Sequence, residues 1–210
     1  RGDRRVVSDV AVLLSREDPD VREAAVEALT RLADRGDAHA VSCVAGNLRH
    51  SEAHARVAGA KALGRLAARG DRQTVSLVIA RLKDQAPAVR EAAVDALAKL
   101  VEPGDARAIS AVKGRLKDES ASVREAAVMA LVEAAEPGDG RAAAAACGCL
   151  ADACAAVRRA AGLALGEALL KAAQTADARS IATLGACLEH ADPNVRRAAV
   201  GGGADRLVDQ

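Results

Sequence analysis

Cysteine and histidine are side chains that bind zinc, and several of them lie close together in this sequence. Cys147, Cys149 and Cys154 are followed later by Cys187 and His190. Zinc requires four ligands that converge on a tetrahedron, whereas Cys147 and Cys149, two positions apart on a helical segment, point to different sides. Five cysteines at irregular spacing do not indicate a disulfide framework, and free thiols are typical of a reducing compartment. We predict no metal site, no cofactor and an intracellular, cytoplasmic location, with a Cys149–Cys187 redox pair as the minor alternative.

Catalytic side chains are the next possibility. His50, Glu52 and His54 share one polar turn, but no Ser-His-Asp or Cys-His motif accompanies them. The run Gly201-Gly202-Gly203 is not a phosphate-binding loop. The sequence therefore predicts that the protein is not an enzyme.

Arginine recurs at a nearly constant step along the chain. The series allows two interpretations, a row of anion sites or a structural ladder in which each arginine bonds carboxylates and carbonyls of the turns. A cation at the start of a helix is unfavourable unless something compensates it, and Asp84 and Asp118 lie in such turns. We favour the structural ladder, which consists of Arg22, Arg56, Arg90, Arg124, Arg158 and Arg196.

The arginine step belongs to an internal repeat of 34 residues. The pair Gly-Asp recurs at that step from Gly2-Asp3 onward, and a last copy, Ala176-Asp177, follows after 38 residues, so four residues are inserted near 171–175. A leucine series keeps the same register, from Leu14 to Leu188. Markers that share one register indicate a repeat protein. We expect one domain over 1–210, with repeats at about 2–35, 36–69, 70–103, 104–137, 138–175 and 176–210.

Each repeat is predicted to form two helices. In the third, Asp71 can cap a first helix in which apolar side chains recur at helical spacing from Val75 to Leu82. A second helix starts near Ala88, carries a stripe of alanine and leucine, and ends at Pro103-Gly104. Two helices cannot bury such a stripe alone, so copies must stack. The predicted fold is an all-α solenoid of about six two-helix repeats.

Two details of the helix ends follow from the same pattern. Ser122 to Glu125 has the form of a capping box at the start of a second helix, with Asp20 to Glu23 as its counterpart in the first repeat. In the last repeat Gly201-Gly202-Gly203 replaces good helix formers, and glycine costs about 1 kcal/mol relative to alanine in a helix. We expect that last helix to be short or frayed, or to be completed by residues beyond Gln210.

The composition limits the partners. The chain has 210 residues, no Phe, Tyr or Trp, 28% charged residues and a net charge of +1. No uncharged apolar stretch approaches the roughly 20 residues of a membrane span. Balanced charge argues against a dedicated nucleic-acid binder, and the missing aromatic rings remove the platforms on which bases stack.

The repeat pattern is Leu-x-Asp followed by Val-Arg-x-Ala-Ala-x-x-Ala-Leu. It occurs at 82–84 with 89–97 and at 116–118 with 123–131. This pattern resembles the HEAT-repeat family, in particular the short HEAT-like repeats of the phycobilisome-lyase type, which are armadillo-like α-solenoids. A tetratricopeptide repeat would need aromatic residues, which are absent.

The resemblance covers essentially the whole chain and implies that the second helices line an extended concave face. It also leaves open a bilin-lyase-like accessory role or a HEAT-like DNA-binding module. HEAT-like iron hydroxylases use His-Glu dipeptides on paired repeats, and this chain has only the reversed Glu189-His190.

The outward side of the second helices is the predicted binding surface. If Val21, Ala24, Ala28 and Leu32 are buried, positions 23, 27 and 30 and their equivalents face outward, and position 31 lies on the flank. One outward row changes from acidic to basic toward the C-terminal half, the flanking row changes the opposite way, and apolar side chains enter between them. The alternative is an ordinary solvated face. The predicted partner-binding residues are Glu23, Glu27, Arg31, Lys61, Arg65, Glu91, Asp95, Lys99, Glu125, Met129, Val132, Glu133, Arg159, Leu163 and Glu167.

These observations together predict a non-enzymatic protein–protein interaction scaffold that binds a protein or peptide along the concave face. Binding hot spots are usually Trp, Tyr and Arg, and only Arg is present, so we expect the binding energy to be spread over several repeats. The chain begins at Arg1, inside a repeat and without Met. We therefore expect it to be part of a longer chain or a larger assembly.

Overall fold

The fold is all-α, as predicted. The structure is a computed structural model that describes residues 3–136 and 140–175 and, beyond them, the single residues Ala182, Gly185, Glu189 and Arg196. None of the described residues is in a strand. Most of the last repeat, with Ala176-Asp177 and the glycine run, lies outside the described residues.

The chain divides into two compact units, Arg1–Glu102 and Pro103–Gln210. The boundary falls at the predicted junction of the third and fourth repeats. Each unit therefore consists of whole repeats, while the single domain expected over 1–210 stays a prediction.

The first unit consists of three helix pairs. Its second helices lie side by side, with α2 against α4 and α4 against α6, so the middle helix has a neighbour on both sides. Short 3-10 turns extend α1 over Leu13–Ser15 and α3 over Gly46–Arg49. The first helices are α1 (Arg4–Val12), α3 (Ala38–Ala45) and α5 (Arg72–Arg81), and the second helices are α2 (Pro19–Leu32), α4 (Ala53–Leu66) and α6 (Pro87–Leu100).

The second unit repeats this arrangement. Its described helices are α7 (Ala106–Lys113), α8 (Ala121–Ala134), α9 (Gly140–Gly148) and α10 (Ala155–Thr175). The second helices α8 and α10 pack against each other. At 21 residues α10 is longer than the 14 residues of α8, because its end includes the four residues that the sequence pattern places as an insertion.

The Gly-Asp pairs connect one repeat to the next. Gly36, Gly70 and Gly104 have φ angles of 87°, 76° and 86°, a left-handed conformation that glycine adopts without steric cost. In this conformation the N–H of Gly70 donates to the carbonyl of Leu100 at 2.7 Å. Leu100 ends the second helix of the repeat that Gly70 begins, so the bond satisfies a carbonyl that has no partner within its own helix.

The aspartate of each described pair caps the first helix, which confirms the prediction. The carboxylate of Asp71 accepts from the N–H of Gln73 at 3.1 Å, and caps of this kind contribute about 1 kcal/mol. Equivalent bonds are made by Asp3, Asp37 and Asp105.

The capping boxes predicted for the second helices are wrong. Helix α8 begins at Ala121, so Ser122 lies inside it, and Ser120 at the cap position makes no side-chain capping bond. In the first repeat the cap is Asp18, followed by Pro19 as the first helical residue. Proline is favoured at that position because it lacks the N–H that would be unsatisfied there, and this moves the cap two residues ahead of Asp20.

Small aliphatic side chains form the core, as the missing aromatic residues require. Ala93, Leu97 and Leu100 of α6 are completely buried. The prediction for α2 is wrong in part, since Ala24 is exposed and Val21, Ala28 and Leu32 are only half-buried. Among the described residues α2 has a second helix on one side only, so its buried stripe is narrower and consists of Ala25, Val26 and Leu29.

Candidate binding surface

The arginine ladder is built into the turns that precede the second helices. Nη1 of Arg56 donates to the carbonyls of His50 and Ser51 at 2.9 and 2.6 Å. These bonds hold the turn closed and fix the direction of the guanidinium group. The same pair of bonds is made by Arg22, Arg90, Arg124 and Arg158.

Arg56 and Arg124 of the ladder also bind a carboxylate of the following repeat. Nε and Nη2 of Arg56 reach the two oxygens of Asp84, both at 2.8 Å, and only 14% and 7% of these side chains are exposed. Arg124 and Asp152 make the same bidentate pair at 2.8 and 2.9 Å. Such pairs are strong and directional, so the ladder joins neighbouring repeats. Arg196 lies where only single residues are described.

The paired carboxylates have shifted pKa values. The guanidinium of Arg124 holds the pKa of Asp152 below its ordinary value of 3.8, against the opposing effect of burial, and the N–H of Cys154 adds to the lowering. For Asp84 burial acts to raise the pKa, but the bonds from Arg56 and from the N–H of Ala86 outweigh it and lower the pKa.

This lowering predicts a pH dependence of stability. When the pKa of a carboxylate is lower in the folded state than in the unfolded state, the charged group stabilises the fold. This contribution is complete at pH values above the unfolded-state pKa and is lost as the pH falls through the folded-state pKa. We expect Asp152→Asn to lower the free energy of unfolding by about 1.5 kcal/mol at neutral pH. The difference in stability from the wild type should become smaller as the pH falls below about 4, as measured by urea unfolding. A gap that stays constant over that range would contradict the assignment.

Eight charged side chains of α2, α4 and α6, all exposed except the half-buried Glu91, form a surface that we call the charged face. Glu23 of α2 lies between two cations of α4, with Oε1 at 3.3 Å from Nη2 of Arg65 and Oε2 at 4.0 Å from Nζ of Lys61. Between 41% and 51% of these side chains are exposed. Ion pairs with this exposure contribute little to stability, so the charges remain available to a partner. The charged face consists of Glu23, Glu27, Arg31, Lys61, Arg65, Glu91, Asp95 and Lys99.

The negative charge of Asp95 is disfavoured by its surroundings on this face. Although the residue as a whole is exposed, protein atoms crowd its carboxyl group, and this desolvation together with the charge of Glu91 raises the pKa of Asp95. Lys99 and Lys61 act in the opposite direction without cancelling the effect. A cation that approached Glu91 and Asp95 would relieve this repulsion.

The remaining predicted residues lie on the second unit. Glu133 and Arg159 are exposed. The prediction that Val132 contacts a partner is wrong, because this residue is 2% exposed and packs in the core of this unit. Its place on the side of α8 that takes part in the packing with α10 makes it unavailable to a partner. Half-buried positions are occupied by Glu125, Met129, Leu163 and Glu167.

A groove of about 530 Å³ lies at the N-terminal ends of α2 and α4 in the first unit. Val26 and Val57 contribute apolar surface, and Arg22, Glu23 and Lys61 contribute charged groups. Since Glu23 and Lys61 also belong to the charged face, the groove is continuous with it. The sequence pattern does not reveal this groove, because it depends on the spacing between helices. Short side chains that line it are Ala53, Ala58 and Ala88.

The cysteines of the described residues include both free thiols and a disulfide-bonded residue. Cys43, Cys149 and Cys154 are free, whereas Cys147 is disulfide-bonded, so the expectation of free thiols is wrong for Cys147. Burial raises the pKa of the Cys149 thiol to about 11, which keeps it protonated at neutral pH and a poor ligand or nucleophile. Among the described residues no group of three or more His, Cys, Asp or Glu could hold a metal ion. Cys187 and His190 lie outside the described residues.

One polar cluster was not predicted from the sequence. Ser8 of α1 lies 3.1 Å from Nε2 of His39 on α3, and Cys43 lies 3.6 Å from both. These are residue types of nucleophilic catalysis, but Nε2 of His39 is also 3.1 Å from the carbonyl of Arg4. A nitrogen that donates to a carbonyl cannot take a proton from serine, so this arrangement ties α1 to α3.

The fold and this surface define an all-α repeat protein whose stacked two-helix units present a charged row of second helices. A family model described as HEAT repeats matches residues 44–132. The HEAT-repeat resemblance deduced from the motif is thereby confirmed over this stretch. No curated protein matches the chain in sequence.

Similar solved structures belong to the same fold class. A designed armadillo repeat protein superposes with a TM-score of 0.56 at 18% identity, covering 94% of this chain and 98% of its own. Another, in complex with the peptide (KR)4, gives 0.51 at 19% identity, covering 94% and 99%. Human deoxyhypusine hydroxylase gives 0.50 at 18% identity, covering 95% of each chain. At these identities the likeness shows the armadillo-like fold alone. None of the described helices has both the length and the apolar character that a membrane span requires.

Proposed function

We propose that this protein is a non-catalytic interaction scaffold that binds a protein segment of mixed charge along the charged face of its first unit. The observation that carries the proposal is the position of two basic side chains between acidic side chains of the two neighbouring helices. The basic side chains Lys61 and Arg65 lie on α4, between acidic side chains of α2 and α6. The ion pairs that they form are long and half-exposed, so a partner can compete for them.

Two further observations support a protein or peptide as the partner. The raised pKa of Asp95 marks a place where a basic side chain of a partner would be favoured. A designed armadillo repeat protein of similar fold forms a complex with the peptide (KR)4, which supports a charged peptide as the kind of partner.

Charge reversal on α4 tests the proposal. A random dodecapeptide library is selected on the wild-type protein, and the affinity of the best peptides is measured by fluorescence polarisation. Replacing Lys61 and Arg65 together by Glu should weaken these affinities by about tenfold or more, because like charges then face one another. Urea unfolding checks that the variant is folded.

The matched control makes the same charge change elsewhere. Arg72→Glu with Lys83→Glu alters two exposed residues outside the charged face and should leave the affinities within about twofold. Equal losses in both variants would mean that only net charge matters. Tight binding of a bilin or of duplex DNA by a protein that binds no peptide would overturn the proposal.

A further inference from the structure

Arg22 differs from Arg56 and Arg124 in one respect. Its Nη1 donates to the carbonyls of Arg16 and Glu17 at 2.7 and 2.6 Å, as in the other repeats. Its Nε and Nη2, however, have no hydrogen-bonding partner among the described residues. In Arg56 the same two nitrogens bind both oxygens of Asp84.

The reason is a single substitution in the repeat pattern. The residue 28 positions after Arg56 is Asp84, whereas the residue 28 positions after Arg22 is His50. Nδ1 of His50 accepts from the N–H of Glu52 at 3.1 Å, just as Oδ1 of Asp84 accepts from the N–H of Ala86 at 3.0 Å. Histidine therefore preserves the local turn bond but supplies no carboxylate to the arginine of the preceding repeat.

This arginine lines the groove described above. The apolar surface next to it can cover the methylene groups of an acidic side chain, and the turn carbonyls hold the guanidinium in a fixed orientation. Other charged or titratable groups that line the groove are Asp20, Glu23, His54 and Lys61. Glu23 pairs with Lys61 and Arg65, and Nε2 of His54 lies 3.2 Å from the carbonyl of Ser15.

We infer that the groove receives an Asp or Glu side chain of the bound protein segment, whose carboxylate takes the place on Arg22 that Asp84 occupies on Arg56. The inference rests on the proposed function and assigns the chemistry of the partner at one end of the charged face. A side chain is favoured over a chain terminus because the groove continues into the charged face, so a bound segment can run on past it.

His50→Asp gives a test in which folding and binding change in opposite directions. The new carboxylate should pair with Arg22, shift the urea midpoint of unfolding upward, and occupy the site in the partner's place. Peptides selected on the wild type from the random dodecapeptide library should be enriched in Asp and Glu. Their affinity should fall by about tenfold or more for His50→Asp and for Arg22→Gln, since a charge-assisted bidentate bond is lost.

The controls separate this inference from the proposed function. Ser51→Asp adds the same charge on the neighbouring exposed residue and should change affinity by less than about twofold. Replacing the acidic residue of a selected peptide by its amide should reproduce the loss, and amidating the peptide's C-terminus should not. If peptides respond to reversal of Lys61 and Arg65 but not to His50→Asp, only this inference fails. If no peptide binds the wild type, both fail.

Discussion

Replacing Asp84 by Ala should lower the free energy of unfolding by about 3 kcal/mol. The substitution leaves the guanidinium of Arg56 without its carboxylate in a place where only 14% of that side chain is exposed. Removing one partner of a shielded ion pair typically costs 3–5 kcal/mol, and the lower end applies because the pair lies near the surface. The same change also removes the acceptor for the N–H of Ala86. Urea unfolding monitored by circular dichroism measures the loss.

Two comparisons show whether the loss comes from the pair. Glu27→Ala removes an exposed i,i+4 partner of Arg31, at 3.7 Å, and should cost no more than about 0.5 kcal/mol. A double-mutant cycle with Arg56→Ala should give a coupling energy above about 1 kcal/mol. If Asp84→Ala cost no more than Glu27→Ala, the ladder would not join the repeats as described.

Replacing Gly64 by Val should destabilise the first unit by about 3 kcal/mol. A Cβ at position 64 would lie 3.0 Å from Cα and 3.3 Å from Cβ of Ala96, so α4 approaches the backbone of α6 at this point. Overpacking of a tight interface typically costs 1–3 kcal/mol, and a branched side chain adds to the clash. Gly64→Ala should also destabilise, by a smaller amount, although alanine is the better helix former.

Gly46 provides the opposite case in the same unit. A Cβ there meets no atom within 4 Å, and its φ of −57° is helical. Gly46→Ala should therefore raise the free energy of unfolding by about 0.5 kcal/mol or more. If Gly→Ala lowers the free energy of unfolding at position 64 but raises it at position 46, the spacing between helices, and not helix propensity, determines the effect at Gly64. An equal increase in the free energy of unfolding at both positions would contradict the close approach of α4 to α6.

Both predictions concern contacts between repeats, on which the proposed surface depends. Lys61 and Arg65 can face Glu23 only while α2 and α4 keep their spacing, and the groove beside Arg22 requires the same spacing. Since a repeat protein gains stability from neighbouring interfaces, variants that weaken the α4–α6 interface should also weaken binding. The affinity assay should therefore always be paired with a measurement of stability.

The sequence alone determined the features that depend on local periodicity. The all-α fold, the two helices of each described repeat and the caps such as Asp71 follow from side chains within one turn of the atoms that they contact. The step of 34 residues carries each of these features from copy to copy. The ladder arginines could be predicted for the same reason, since the five of them up to Arg158 bind carbonyls five and six residues earlier in the chain.

Tertiary structure decided what depends on neighbours distant in the chain. Ala24 occupies the same repeat position as the buried Ala92, yet it is exposed because α2 has a second helix on one side only. Val132 has an outward position by helical angle, but the packing of α8 buries it. Whether Nε and Nη2 of Arg22 have a carboxylate partner depends on whether residue 50 is a histidine or an aspartate. Burial and pairing of this kind depend on the distance between helices, which a pattern along one chain does not contain.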